Sequence, residues 1–167
     1  MASTPDSASG SGRPMSVLIT GTSQGSFGGA LAAAFARRGF TVFATARNLS
    51  KIDPALILLP HVHQLQLDVT SPESISHAVQ AVRVKTDGRL NFLINNAGAG
   101  YTTPMADVDI EIGKKIFDVN FWGVLSVTKA FIPLLVHTRG TVLNVSSVGG
   151  LVHAPWIGKN DIFLHFA

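Results

Sequence analysis

The chain has 167 residues, 46% of them hydrophobic and only 14% charged, with a formal net charge of +3 and no cysteine. That length suits one domain around one core, and a charge content well under the roughly 25% of ordinary soluble domains leads us to expect apolar surface hidden in a partner or in a missing segment. The 13 Lys and Arg are scattered without a basic run, which argues against nucleic acid; the lack of cysteine excludes disulfides, thiolate metal sites and thiol catalysis.

Residues 1–14, "MASTPDSASGSGRP", are rich in Ser, Gly and Pro and carry no apolar signal core, so a disordered leader is expected there. From residue 16 onward, short β-rich runs alternate with helical patterns. "SVLIT" (16–20) reads as a strand, followed by a glycine-rich turn and the helical "GALAAAFARRG", with Arg37 and Arg38 in its last turn and Gly39 as its C-cap. "TVFATA" (41–46) is a second strand and "VHQLQLDV" (62–69) a third. "TSPESISHAVQAVRVK" (70–85) opens a helix with Thr70 as N-cap, Glu73 completing a capping box and Pro72 in the first turn. "NFLINNA" (91–97) is a fourth strand, a long helical region covers about 110–137, and "TVLNVSS" (141–147) is a fifth strand. The longest apolar stretch, 121–136, is broken by Lys129 and shorter than a membrane span, so a soluble protein that does not span a membrane is expected. Strands separated by helices predict a doubly wound α/β domain, a parallel sheet with helices on both faces; the strand order expected for it is 3-2-1-4-5.

The turn "LITGTSQGSFGGALA" places Gly21, Gly25 and Gly28 between the first strand and the first helix. A glycine triplet alone can be an ordinary βα connection. Placed after the first strand of a βαβαβ unit, it points to a dinucleotide: glycine lets the backbone approach a pyrophosphate, and the helix N-terminus offers N–H groups to it. The end of the second strand, where NAD enzymes carry an acid, is Ala46 followed by Arg47. No Asp or Glu occurs from Ser7 to Ile52. A guanidinium there suits a ribose 2′-phosphate, which favours NADP(H) as the cofactor.

These residues resemble the short-chain dehydrogenase/reductase family, whose turn reads TGxxxGxG. Here the turn runs Thr20-Gly21-Thr22-Ser23-Gln24-Gly25-Ser26-Phe27-Gly28, one residue longer. The longer form is similar to the subgroup containing NADPH-dependent 1-acyldihydroxyacetone-phosphate reductases, with Ser26 and Phe27 in place of its Gly-Ile. By resemblance, Gly21, Thr22, Ser23, Gly25, Phe27 and Gly28 belong to the cofactor site. Asp68 contacts the adenine amino group. Asn95, Ala97 and Gly98 of "NNAG" line the cofactor, with Asn95 bonding across the sheet. Asn120 of "DVNFWG" holds a water in a proton relay, and Ser147 hydrogen-bonds the substrate carbonyl. His61 and His63 fall on one strand face with no third ligand nearby in sequence, so no metal site is expected.

The pattern then breaks. The family places a tyrosine thirteen residues after the serine and a lysine four residues further on. Those positions are Asn160 and Leu164, and the chain's one tyrosine, Tyr101, lies elsewhere. Family-like sequence continues through Gly158, so residues 15–158 are expected to form an incomplete NADP-binding domain. Residues 159–167 would be a non-family tail at a cut edge, with the family's C-terminal strands and helices missing. The resemblance implies NADP(H)-dependent reduction of a carbonyl, including that of a lipid-like ketone, by the family. For this chain it implies a non-catalytic cofactor-binding fragment that would take a small-molecule substrate only if completed. The alternative is an interaction protein that pairs, with itself or an intact homologue, through the open edge of its fifth strand. A cytoplasmic location is expected, and the resemblance also allows the surface of the endoplasmic reticulum or of lipid droplets.

Overall fold

Val17, Leu18 and Ile19 have no exposed surface, because the strand that carries them, β1 (Ser16–Ile19), lies in the middle of a sheet covered on both faces. The computed structural model describes residues 13–147. The other strands are β2 (Thr41–Ala46), β3 (Val62–Gln66), β4 (Phe92–Asn95) and β5 (Thr141–Asn144). All neighbours pair in parallel, in the order β3-β2-β1-β4-β5. Val17 is level with Val42 on one side and with Phe92 on the other. The expected doubly wound α/β fold, strand order included, is therefore the observed one.

Side chains alternate across a strand, and the two layers of the core follow from that. Val17, Ile19, Val42, Ala44 and Ile94 face helix α1 (Phe27–Arg37), which meets them with Ala32 and Ala36. Small side chains let this helix lie close to the sheet. Leu18, Phe43 and Leu93 face the opposite layer. There α3 (Pro72–Thr86) contributes Ile75, Val79 and Val82, and α5 (Val124–Val136) contributes Val127, Phe131 and Leu134. Each such fully buried side chain contributes about 1.5–3 kcal/mol, so Phe131 and Leu134 anchor α5 against the sheet.

Local structure corrects the sequence reading at several points. The N-cap of α3 is Ser71, not Thr70: its Oγ accepts from Ser74 N–H, so no Thr70–Glu73 capping box forms. Thr70 instead donates, through its N–H and hydroxyl, to Asp68 Oδ1. His61 is not on a strand face. It precedes β3 with a left-handed φ of 61°. Between β2 and β3, where no helix was expected, lie a 3-10 turn (Leu49–Lys51) and the one-turn α2 (Pro54–Ile57). Asp53 caps α2 with proline at its first turn, a start signal that was legible in "DP".

The long helical region is a single run of 27 residues from Ile110 to Val136. It consists of α4 (Ile110–Phe117), a π-helical segment (Asp118–Gly123) and α5. By length and composition the run could cross a membrane, which the count starting at residue 121 understated. Its inward face packs into the core through Ile116, Val127, Phe131 and Leu134, while Trp122, Leu125 and Ile132 stay exposed.

Candidate functional site

The C-terminal ends of β1, β2 and β4 lie side by side in the sheet, so the turns that follow them converge. After β1, buried Thr20 joins two of these turns. Its N–H donates to Ile94 O at 3.0 Å, and its Oγ1 accepts from the N–H groups of Asn96 (2.9 Å) and Ala97 (2.8 Å). The Asn96 amide returns the link, donating to Thr20 O at 2.8 Å and to Gly21 O at 2.9 Å. Gly21 has φ 71°, and a Cβ there would lie 2.8 Å from Ala97 Cα. Only glycine permits this approach.

The chain then makes a tight turn over 23–26. Ser26 N–H donates to Ser23 O at 3.0 Å, with Gly25 at φ 73°, the pattern of a type II turn. Ser26 caps α1, its Oγ accepting from Gly29 N–H and donating to Ser23 O. Gly28, in the first turn of α1, presses so closely on Gly21 O and the Asn96 amide that a Cβ would collide with both. A Cβ on Gly25, by contrast, would meet nothing within 4 Å. The result is an open cradle at a helix N-terminus. The first N–H groups of α1, on Phe27 and Gly28, are orphan helix donors beside it, and Phe27 exposes its ring at the rim. Such a terminus carries a partial positive charge and suits a diphosphate. The residues present therefore fit a dinucleotide.

Arg47 is the first exposed residue after β2, and its carbonyl accepts from Gln66 Nε2 at 3.1 Å. Asp68 lies just past β3. Partial burial pushes its carboxyl pKa up, but the two hydrogen bonds from Thr70 and the nearby Arg47 charge outweigh this and hold it below the usual carboxylate value. Asp68 thus stays ionised beside Arg47.

At the end of β4, buried Asn95 donates to Thr128 Oγ1 (3.0 Å) and to Asn144 Oδ1 (2.9 Å), tying β4 to α5 and β5. Ala97 and Gly98 follow, and a Cβ on Gly98 would sit 3.5 Å from Asn120 Oδ1. Asn120 lies in the π-helical segment and binds Ala99 twice, accepting from its N–H (2.8 Å) and donating to its carbonyl (2.9 Å). Gly123 ends that segment against Val69, with room for no Cβ. Single π turns of this kind recur where a helix presents a functional side chain.

Ser147 is exposed, three residues past β5, and is the last described residue. Asn160, Leu164 and the tail 159–167 lie outside the described residues, as does the leader through residue 12. His63 lies away from these turns, its ring 5.5 Å from that of Phe43. Among the described residues no group of His, Cys, Asp or Glu could hold a metal ion. Two residues of the site were not singled out from sequence, Thr20 and Asn96. Both stand inside the quoted "TG" and "NNAG" stretches, and that is the signal that could have found them.

Comparison with known proteins agrees with this geometry. The family model for short chain dehydrogenase matches residues 15–159. Short-chain dehydrogenase ptmH of Penicillium ochrochloron is 48% identical over 142 residues, covering 85% of this chain and 52% of that protein. An NADPH-dependent 1-acyldihydroxyacetone phosphate reductase of Schizosaccharomyces pombe is 46% identical over 132 residues, covering 79% of this chain and 44% of that one. Among solved structures, the alcohol dehydrogenase of the archaeon Thermococcus sibiricus complexed with 5-hydroxy-NADP superposes with a TM-score of 0.81 at 28% identity, over 92% of this chain and 66% of that one. The chain thus spans about half the length of the curated relatives it matches. Across that span the glycine turn, the strand order and the NNAG stretch all coincide with one family: the chain belongs to the short-chain dehydrogenases.

Proposed function

We propose that this chain binds NADP(H) and is the cofactor-binding portion of an oxidoreductase that acts on a carbonyl, a lipid-like ketone being one substrate class. The observation that carries the reading is Arg47, exposed at the end of β2 with no acid between Ser7 and Ile52 to compete for the ribose. The orphan N–H groups of Phe27 and Gly28 would hold the pyrophosphate, Gly25 leaving it space, and Ser23 would lie beside it. Arg47 would hold the 2′-phosphate, Asp68 the adenine amino group, and Ala97 and Gly98 the ribose side of the pocket. When bound, the cofactor supplies a hydride. The chain's own part is to donate a hydrogen bond from Ser147 to the carbonyl oxygen and to order a water at Asn120. The Asn120 amide, doubly bonded to Ala99, keeps one N–H and one lone pair for that purpose.

A proton must also reach the developing alkoxide. Asn160 and Leu164 stand where the family carries its tyrosine and lysine. A neutral amide does not release a proton near pH 7, and leucine has no charge to lower a neighbour's pKa. Binding without turnover is therefore the reading for this chain. Supporting the choice of NADP(H), one relative is named as NADPH-dependent and one structural neighbour was solved with an NADP derivative.

Equilibrium titration of the 167-residue chain with NADPH and NADH by cofactor fluorescence tests the assignment. We expect tighter NADPH binding, weakened about ten- to a hundredfold by Arg47→Ala, the worth of a charge-assisted contact, with NADH nearly unaffected. Equal or tighter NADH binding by the unmodified chain overturns it. A second reading has one observation in its favour. Among the described residues β5 pairs only with β4, and Val142, Leu143 and Val145 are 37%, 44% and 42% exposed. Such an edge suits pairing with another chain. Sedimentation showing a monomer at all concentrations would dismiss it.

A further inference from the structure

We propose that a backbone strap between the glycine turn and the segment after β2 sets the preference between NADPH and NADH, with Gln24 and Ile52 as positioning residues for Arg47. The proposal rests on the NADP(H) reading above and goes beyond the residues that would touch the cofactor. It starts from an isolated antiparallel bridge between Ser23 and Ile52, outside every strand of the sheet. Gln24 N–H donates to Lys51 O at 2.6 Å within that bridge. Two residues earlier, just before the turn, Thr22 N–H and Oγ1 both bond Thr45 O, at 2.8 and 3.3 Å.

The arc from residue 45 to residue 51 is thus tied at both ends to nearly consecutive residues of the pyrophosphate cradle. Arg47 stands between the ties. The arc itself is stiff. The Asn48 side chain accepts from Ser50 N–H, Lys51 N–H donates to Asn48 O, and Ile52 N–H to Leu49 O. Ile52 is 2% exposed and packs in the cluster with Ala32, Ala44 and Leu56, which seats the acceptor end of the strap in the core. Gln66 Nε2 on Arg47 O adds a third hold from β3.

A cofactor with a 2′-phosphate is gripped at two points, the cradle and Arg47. One without it is gripped only at the first. Affinity gained from two-point attachment depends on the spacing being set before binding. The strap fixes that spacing, so its loss should weaken NADPH more than NADH.

The turn geometry supplies a perturbation that opens the strap. Gln24 occupies the second position of the type II turn, where proline is favoured. Its neighbour Ser23 pairs in a β-bridge, a placement compatible with the extended backbone favoured before proline. Gln24→Pro therefore removes the strap's N–H donor and sets its ring Cδ where that hydrogen pointed, against Lys51 O, so the strap must open while the turn type is kept. Dissociation constants for NADPH and NADH are measured by fluorescence titration in the full chain, Gln24→Pro, Arg47→Ala and the double variant, with thermal melts of each. We expect the ratio Kd(NADH)/Kd(NADPH) to fall about three- to tenfold in Gln24→Pro, the worth of one hydrogen bond. In the Arg47→Ala background the same change should move the ratio no further. A ratio kept within twofold in a folded Gln24→Pro chain, or an equal further fall in the double variant, overturns the inference alone. An unmodified chain that binds neither cofactor, or does not prefer NADPH, overturns the NADP(H) reading and this inference with it. Should Gln24→Pro fail to fold, hydrogen exchange at the Gln24 amide of the unmodified chain decides. Slower exchange with NADPH than with NADH at saturation supports the strap, and equal rates overturn it.

Discussion

Replacing Gly28 by alanine is the sharpest test of how the cradle is built. The added Cβ would collide with Gly21 O and with the Asn96 amide, and the first is a backbone oxygen fixed by hydrogen bonds from Asn96 and Ser26. Overpacking against groups that cannot retreat costs about 1–3 kcal/mol. Displacing the Asn96 side chain weakens two hydrogen bonds, to Thr20 O and Gly21 O, each worth about 0.5–1.5 kcal/mol. A small gain in helix propensity offsets some of this, leaving a net loss of about 2–4 kcal/mol. At about 2–4 °C per kcal/mol for a domain near this size, the melting temperature should fall by about 5–15 °C. Gly25→Ala is the internal control, since its φ of 73° is strained for alanine but the space is open. Left-handed strain alone costs about 1–2 kcal/mol, so its loss should be the smaller. Asn96→Ala combined with Gly28→Ala should cost less than the sum of the two, because one of the two collision partners is gone and the Asn96 bonds are counted once. Thermal unfolding followed by far-UV circular dichroism reads the unmodified chain and the four variants. A Gly28→Ala chain that melts within about 2 °C of the unmodified one, or above Gly25→Ala, would refute the close packing of α1 on the end of β1.

Two further outcomes are expected. The His63 pKa lies below its usual value, first through burial, then through the charges of Lys85 and His61. A lowered histidine makes the folded chain take up its proton later than the unfolded chain, so stability is intact above about pH 6.5 and lost as pH falls below it. The melting temperature should drop more steeply from pH 7 to pH 5 in the unmodified chain than in His63→Phe; parallel curves would contradict this. Finally, the purified chain should oxidise no NADPH above a protein-free control across a panel of ketones and aldehydes. Steady turnover that survives repurification would show that a proton donor other than a residue at position 160 exists.

The sequence by itself determined the order of strands and helices, because each strand is a short apolar run bounded by turn residues and each helix a periodic one. Parallel pairing followed from that alternation, and so did the place of the glycine turn after β1; the order 3-2-1-4-5 did not, because doubly wound sheets with the same alternation also occur in other orders. The missing acid before Ile52 is likewise a fact of sequence alone. What tertiary structure decided are bonds between residues far apart in the chain. Thr20 and Asn96 lock two turns together across a separation of 76 residues; the "TG" and "NNAG" stretches mark each residue, but nothing local says that the two bond to each other. Gln24 finds Lys51 only because β1 and β2 run side by side and deliver both loops to one end of the sheet. The Ser71 cap displaced Thr70 because Thr70 was engaged with Asp68, a competition between neighbours that a spacing rule does not weigh. The π-helical segment forms where Asn120 reaches the Ala99 backbone and Gly123 meets Val69. Backbone donors and acceptors must find partners when buried, and which partners they find is settled only once the sheet has brought distant turns together.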